Sequence, residues 1–201
     1  MKSLIEAGLK YWVIKQCISI GKINLKINSS TLSILKGAIP MVSLEASSIN
    51  FRNIIIDKIF INAKNIKLKF IIRKGKPSVE LLENFFLKFT ISFTSDQINN
   101  ICLSEDWKSL GDFFTTEFFL DSTFKKIEID DNLFKVKVLS NESNQMIEKL
   151  LKIDIKSGKL NFTDIDSNKN SILPIDKSIK VNIFNFNQKT LTLVCTSEVT
   201  I

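Results

Sequence analysis

Hydrophobic and polar residues alternate along most of this chain, as they do in half-buried β-strands. The alternation is cleanest at Ile23, Leu25 and Ile27, which are separated by lysine and asparagine. The strands that follow are joined by very short connections, and this favours an antiparallel meander. The pattern therefore predicts a β-sheet over residues 22–93.

Two neighbouring strands of this sheet change the side on which their apolar residues fall. Ala46 and Ile49 have opposite parities in the first, with Ser48 between them. Ile56 and Ile59 do the same in the second. A switch of parity within one strand indicates a bulge or a strong bend. Two such switches side by side predict a strongly curved sheet.

The N-terminal residues 2–20 have the 3.6-residue period of a helix, which Gly21 is placed to end. Two interpretations are open for this helix. It packs on the core through its apolar stripe, or it lies in the plane of a membrane with Tyr11 and Trp12 at the headgroup boundary. The predicted stripe consists of Ile5, Leu9, Trp12, Val13, Cys17 and Ile20.

Residues 95–119 are predicted to form two further helices. Thr94 and Gln97 have the spacing of a capping box, which marks the start of the first. The second carries a stripe of phenylalanines that includes Phe113. Such a stripe is typical of a plain core, and the alternative is the lining of an acyl-chain cavity.

The C-terminal part of the chain returns to strands over residues 124–199, with hairpin turns such as Ser157-Gly158. We find no linker or repeat that divides the chain. The sequence thus predicts a single α+β domain over residues 1–201, in which a strongly curved antiparallel sheet wraps around helices.

The net charge of +7 favours an anionic partner, either a membrane surface or a nucleic acid. No nucleic-acid-binding motif is visible, so nucleic acid is the less favoured partner. The densest basic patch could attract lipid headgroups, or it could be an ordinary solvated strand face. It consists of Lys67, Lys69, Arg73, Lys74 and Lys76.

The chain lacks the residue patterns of common active sites. It has no histidine, and its three cysteines are far apart, which excludes Cys/His zinc sites and Ser-His or Cys-His nucleophile pairs. Isolated glycines exclude a phosphate-binding loop. Asp164 and Asp166 could form a weak cation site, but a solvated turn is the favoured interpretation. We therefore expect no enzyme activity, no metal and no cofactor.

The cysteines are expected to be buried thiols in a reducing compartment. No transmembrane segment or signal peptide is detected in the sequence as given. We therefore expect a cytoplasmic or peripheral membrane location.

One long run of the sequence is similar to a known family. Its features are an alternating strand, a turn over residues 35–40 and the paired strands that follow, in YWVIKQCISIGKINLKINSSTLSILKGAIPMVSLEASSINFRNIIIDKIFINAKNIKLKF. The later segment FTSDQINNICLS opens a helix in the same way. The chain thus resembles the LmeA-like phospholipid-binding family. The resemblance implies an elongated, curved sheet around helices, similar to tubular lipid-binding domains, with an apolar cavity for phospholipid.

These observations lead to a hypothesis of a non-enzymatic lipid-binding protein that acts at an anionic membrane surface. Two alternatives stay open, a structural or protein-interaction module with a filled core and, less favoured, a nucleic-acid-binding protein. Acyl chains would lie against inward-facing apolar residues. The predicted lining consists of Leu44, Ile59, Ile61, Leu68, Phe70 and Phe113.

Overall fold

Antiparallel strands make up most of this fold. The computed structural model describes residues 2–73, 76–130, 132–187 and 189–201, without the side chains of Leu4, 70–73 and 76–79. In chain order, the helices are α1 (Lys2–Gln16), α2 (Thr31–Leu35), α3 (Ser95–Leu103) and α4 (Lys108–Phe118), with a 3-10 turn at Glu105–Trp107. The strands are β1 (Ser19–Asn28), β2 (Ala38–Phe51), β3 (Ile54–Arg73), β4 (Lys76–Leu81), β5 (Phe85–Thr94), β6 (Ser122–Asp130), β7 (Leu133–Ser140), β8 (Met146–Lys156), β9 (Lys159–Asp164), β10 (Asn170–Ile172), β11 (Ile179–Asn187) and β12 (Thr190–Val199).

The strands of the described chain form two antiparallel sheets. Sheet 1 has the order β1-β2-β3-β5-β12-β11, and β4 pairs with the end of β3. Sheet 2 has the order β10-β9-β8-β7-β6. The predicted α+β class with antiparallel sheets is confirmed. The C-terminal strands predicted over residues 124–199 divide between the sheets, because β12 pairs with β5 and brings β11 into sheet 1.

Helix α1 covers the β1 end of sheet 1. Ile5 and Leu9 pack against the cluster of Ile27, Ile34 and Ile39, and the backbone N–H of Ile27 donates to the Glu6 carboxylate at 2.8 Å. The helix ends at Gln16 and not near residue 20, because β1 already pairs with β2 from Ser19 onward. Trp12, which the periodicity places in the buried stripe, is 61% exposed.

The parity switch predicted in the first strand of the meander, β2, is present. Ala46 and Ile49 are buried in one cluster, and Ser48 between them has a φ of 53°. The register between β2 and β3 is the same on both sides of Ser48, so the switch comes from the backbone conformation and not from an inserted residue. Gly21 lies in β1 instead of ending α1, and a Cβ there would come within 2.9 Å of the Ser48 Cβ.

The turn predicted around Gly37 is also present and joins α2 to β2. Gly37 has a φ of +74°, which L-residues rarely adopt. A Cβ at this position would overlap the carbonyl oxygen of Leu68, and the Leu68 N–H donates to the Gly37 carbonyl at 2.8 Å. This contact holds the turn against β3.

Helices α3 and α4 pack between the sheets, and the predicted start of α3 is confirmed. The Gln97 N–H donates to the Thr94 hydroxyl at 3.3 Å, and the Thr94 N–H donates to the Gln97 side chain at 2.8 Å. Helix α4, which follows α3 and the 3-10 turn, buries Phe113, Phe114 and Phe118 in the largest core cluster of the described residues. That cluster joins sheet 2 to the β5-β12-β11 half of sheet 1.

Asn99 of α3 pairs with an edge strand of sheet 2. Its amide nitrogen donates to the Ile127 carbonyl at 2.9 Å, and its amide oxygen accepts from the Ile127 N–H at 2.6 Å. Ile127 lies in β6, the last strand of sheet 2 in the described chain. A buried asparagine thus makes the two backbone bonds that a neighbouring strand would otherwise make, and it fixes α3 to the sheet.

We expect Asn99→Leu to lower the free energy of unfolding by about 2 kcal/mol, because the substitution leaves a buried N–H and a buried carbonyl of Ile127 without partners. Urea denaturation of the purified protein measures the change. Asn100→Leu is the matched control, since Asn100 is exposed on the same helix and its loss should change stability by less than about 0.5 kcal/mol. Equal midpoints for the two variants would contradict the role of Asn99.

Candidate apolar ligand cavity

An apolar cavity of about 300 Å³ lies between sheet 1, sheet 2 and helices α3 and α4. None of the described residues that line it is charged. Its walls are aliphatic and aromatic side chains together with two cysteines. A space of this kind excludes charged and strongly hydrated ligands, because they would lose hydration without gaining polar partners.

Sheet 1 forms one wall of the cavity through two rows of side chains that cross six strands. Because directly paired residues point to the same side of a sheet, each row forms a continuous apolar stripe. The first row is Leu25, Leu44, Ile61, Phe89, Cys195 and Val181. The second row is Ile23, Ala46, Ile59, Ile91, Leu193 and Phe184.

The cavity lies under the β5-β12-β11 half of these rows. Phe89 and Ile91 of β5, Leu193 and Cys195 of β12, and Val181 of β11 all line it. These strands face sheet 2, whereas the β1-β2 half of the rows lies towards α1. The position of the cavity therefore follows from the pairing of β5 with β12.

Sheet 2 forms the opposite wall with packed aromatic rings. Phe162 of β9 meets Phe114 of α4 edge to face, with their ring centroids 5.2 Å apart. Phe134 of β7 lies 5.6 Å from Phe162, and all three rings line the cavity. Phe114, Phe134 and Phe162 are each at most 2% exposed, so this wall is well packed behind the open space.

Helix α3 and the 3-10 turn close the third side. Ile98, Ile101 and Cys102 project from α3, and Trp107 follows in the turn. The Trp107 indole N–H donates to the Arg52 backbone carbonyl at 2.8 Å. The polar atom of this ring is thus satisfied by the β2-β3 turn, which leaves the rest of the ring free to line the cavity.

Trp107 also lines a surface groove of about 530 Å³. Lys15 to Ile18, at the end of α1, form one side of the groove, and the β2-β3 turn with Arg52 and Asn53 forms another. Asp106 lies there as well and accepts a 2.6 Å hydrogen bond from the Asn53 amide. Trp107 is therefore shared by the interior cavity and by a charged groove on the surface.

The two cysteines of the cavity wall are suited to packing and not to nucleophilic chemistry. Burial raises the pKa of the Cys102 thiol to about 12 and that of Cys195 to about 11. Both thiols are therefore protonated at neutral pH, and the thiolate is the reactive form. All three cysteines are free, as expected, although Cys17 is only half-buried.

Three of the predicted lining residues lie on the same face of sheet 1 as the cavity wall. Leu44, Ile59 and Ile61 belong to the two apolar rows, yet none of them lines the cavity. Leu44 lies in β2, and Ile59 and Ile61 lie further along β3, whereas the cavity reaches β3 at its first residue, Ile54. The pairing of β5 with β12, over a long separation in sequence, places the cavity under the other half of the rows.

Two more of the predicted lining residues lie elsewhere. Leu68 packs in the α1 cluster at the other end of sheet 1. Phe113 is buried with its ring centroid 6.0 Å from that of Phe162, but it is absent from the cavity wall. The side chain of Phe70 lies outside the described residues. Leu191 and Leu193, which do line the cavity, belong to an alternating run that predicts a strand. The sequence does not indicate that this strand pairs with β5.

The predicted basic patch is not beside the cavity in the described part of the chain. Lys67 forms an ion pair with Glu83 at 2.7 Å, and Lys69 is paired across the strands with Glu80. Both lysines lie near the end of β3, and neither lines the cavity or the groove. Three members of the patch lie outside the described side chains, namely Arg73, Lys74 and Lys76.

The described residues hold no group of three or more cysteine, aspartate or glutamate side chains arranged to bind a metal ion. None of their helices has the length and apolar character needed to cross a membrane.

Comparisons with protein-family models, with curated proteins and with solved structures find no match to this chain. The resemblance to the LmeA-like family stays a prediction from the sequence features quoted above.

Proposed function

We propose that this protein binds a lipid without catalysing a reaction and holds one acyl chain in the apolar cavity. The observation that carries the proposal is the cavity itself, about 300 Å³ in volume and without a charged residue among its described lining. Pockets that bind small molecules begin at about this size and are mostly apolar. A cavity of half this volume already binds an apolar ligand such as benzene.

The volume also limits the ligand. With about 30 Å³ for each non-hydrogen atom, as in liquid water, the cavity holds on the order of ten atoms. That is part of one acyl chain and not a whole phospholipid. A longer chain would continue along the half-buried part of the two rows, at Leu44, Ile59 and Ile61.

The wider proposal is a single LmeA-like domain with a curved, tubular lipid-binding fold that acts peripherally at an anionic membrane. The apolar rows of sheet 1 support it, because they provide one continuous surface across six strands. The Ser48 conformation supports a bend in that surface, since it turns both Ala46 and Ile49 into the interior.

A chain-length series of fatty acids tests the proposal in solution without membranes. A fluorescent fatty acid is titrated into the purified protein and then displaced by saturated fatty acids of increasing length. We expect one saturable site, with affinity that rises about fourfold per methylene until about ten atoms are buried. Beyond that length the affinity should rise by less per methylene, because the rows outside the cavity are only half-buried. Mass spectrometry of a denaturing extract should also recover bound lipid. Absence of both saturable binding and recovered lipid would overturn the proposal.

A further inference from the structure

Helix α1 has two apolar faces, and only one of them is used within the protein. Ile5, Leu9 and Val13 lie on the face towards sheet 1 and are half-buried. Tyr11 and Ile14 lie on the opposite face at helical spacing with Ala7. Ile18, two residues beyond the end of α1, is exposed as well. An amphipathic helix of a globular domain needs only the first face. The second one requires a separate explanation.

The outer face is open over its length. Tyr11 is 63% exposed and Ile18 is 65% exposed, and Trp12 borders the same surface. Gly8 lies at the side of this face, and no heavy atom from outside the local helix would come within 4 Å of a Cβ placed there. No other element of the described chain covers this face.

Positive charges border the outer face. Lys10 and Lys15 flank it in the sequence, and the Lys15 ammonium lies 5.4 Å from the centre of the Tyr11 ring. Glu6 belongs to the inner side, where it accepts the hydrogen bond from Ile27. Aromatic and aliphatic residues bordered by lysine are typical of helices that lie in the interface of an anionic bilayer.

We propose that the outer face of α1, together with Ile18 just beyond the helix, docks on an anionic bilayer. The face consists of Ala7, Tyr11, Trp12 and Ile14, with Lys10 and Lys15 at its borders. The helix would lie in the plane of the interface, with its aromatic rings at the headgroup level and its lysines on the lipid phosphates. The charge of the whole chain, +7, has the sign that this partner requires.

The docked orientation connects the bilayer to the cavity, and this step rests on the proposed function. Lys15 and Gln16 at the end of α1, with Cys17 and Ile18 just beyond it, form one side of the groove that Trp107 shares with the cavity. Docking through Ile18 therefore brings the groove to the headgroups. An acyl chain would enter past Trp107, and Lys15 and Arg52 would face its anionic head.

Vesicle flotation tests the docking surface. Vesicles contain phosphatidylcholine alone or equal parts of phosphatidylcholine and phosphatidylglycerol. We expect the wild-type protein to bind the anionic vesicles, and Tyr11→Ser with Ile18→Ser to weaken binding at least about tenfold through loss of buried apolar area. Ile183→Ser is the matched control, because Ile183 is 57% exposed on β11, and its replacement should change binding less than about twofold.

A charge series and a fluorescence measurement complete the test. Lys10→Gln and Lys15→Gln should each weaken anionic binding about fivefold. In a Trp107→Phe variant the only tryptophan is Trp12, whose emission should shift to the blue on binding and be quenched by brominated lipids.

Three outcomes would overturn the inference. The first is that the wild-type protein does not float with anionic vesicles. The second is that the double serine variant floats as well as the wild type. The third is a dimer in sedimentation velocity that the serine substitutions abolish, while the protein does not bind vesicles. The last would assign the face to a second copy of the chain. Failure of the fatty-acid titration with intact flotation would reject the cavity proposal and leave the docking surface in place.

Discussion

Replacement of Val181 and Cys195 by phenylalanine is expected to weaken acyl-chain binding about a hundredfold while the protein stays folded. The two residues are directly paired on β11 and β12, and both side chains line the cavity. Two phenyl rings would occupy the space of three to four methylene groups of the ligand. At about 0.8 kcal/mol for each buried methylene, this loss corresponds to about two orders of magnitude in affinity.

The same double variant distinguishes a ligand cavity from a filled core. If the space between the sheets is open, the phenyl rings fill it, and the free energy of unfolding stays constant or rises by up to about 2 kcal/mol. If the space is already packed, the added atoms strain the core and lower the free energy of unfolding by about 1–3 kcal/mol. Urea denaturation of the ligand-free protein provides this second measurement.

Ile183→Phe is the control for the added ring. It lies on the same strand as Val181, but its side chain is exposed and does not line the cavity. We expect wild-type affinity and stability within about 0.5 kcal/mol. Unchanged fatty-acid affinity in the Val181→Phe/Cys195→Phe protein would contradict the assignment of the cavity as the ligand site.

The sequence predicts those parts of the fold that depend on residues close together in the chain. The capping box of Thr94 and Gln97 lies within one helical turn, and the structure contains both of its hydrogen bonds. The parity switch at Ser48 was visible because Ala46 and Ile49 are both apolar. Such signals require only the local periodicity of helices and strands.

The cavity could not be located in this way, because its wall depends on a long-range pairing. Thr190 pairs with Thr94, almost a hundred residues earlier in the chain, and this pairing places β12 beside β5. Many strands in the sequence have the same alternating pattern, so the pattern does not choose among partners. The sequence therefore identified the apolar face of the sheet but not the half of it that a second sheet would cover.

The sequence also does not determine which of two adjacent helical residues lines the cavity. Phe113 and Phe114 are adjacent in α4, and both are buried, but only Phe114 lines the cavity. The helical period predicts that both belong to one broad apolar face. It does not determine which ring contacts neighbours on all sides and which ring borders an open space, since that depends on the elements packed around the helix.

A second large effect is expected at Asp164, where the sequence favoured a solvated turn. The carboxylate is instead fully buried at the end of β9. The Lys149 ammonium lies 2.6 Å from it, and the Ser167 hydroxyl donates to it at 2.6 Å. Asp164→Ala leaves these donors without their acceptor, and we expect the free energy of unfolding to fall by about 3 kcal/mol at neutral pH.

The control for this substitution is Asp166→Ala, two residues further along. The Asp166 side chain is exposed. Its backbone N–H donates to the Asp164 carboxylate at 3.2 Å. Alanine keeps that N–H, so stability should change by less than about 0.5 kcal/mol. Urea denaturation at pH 7 compares the two variants, and equal losses would show that Asp164 has no special structural role.

The contribution of Asp164 should also depend on pH in a defined direction. Burial alone raises the pKa of its carboxyl, but the hydrogen bonds from Lys149, Ser167 and the Asp166 backbone outweigh burial, and the net pKa is lowered. The folded protein therefore favours the ionised form more than the unfolded chain does, in which the pKa is about 3.9. The stabilisation is complete well above that value and is lost as the pH falls through it towards the lowered pKa of the folded state. Denaturation from pH 7 down to about pH 3 should show the difference between wild type and Asp164→Ala shrinking below about pH 4. A difference that stays constant over this range would mean that packing, and not the ionised carboxylate, stabilises this end of sheet 2.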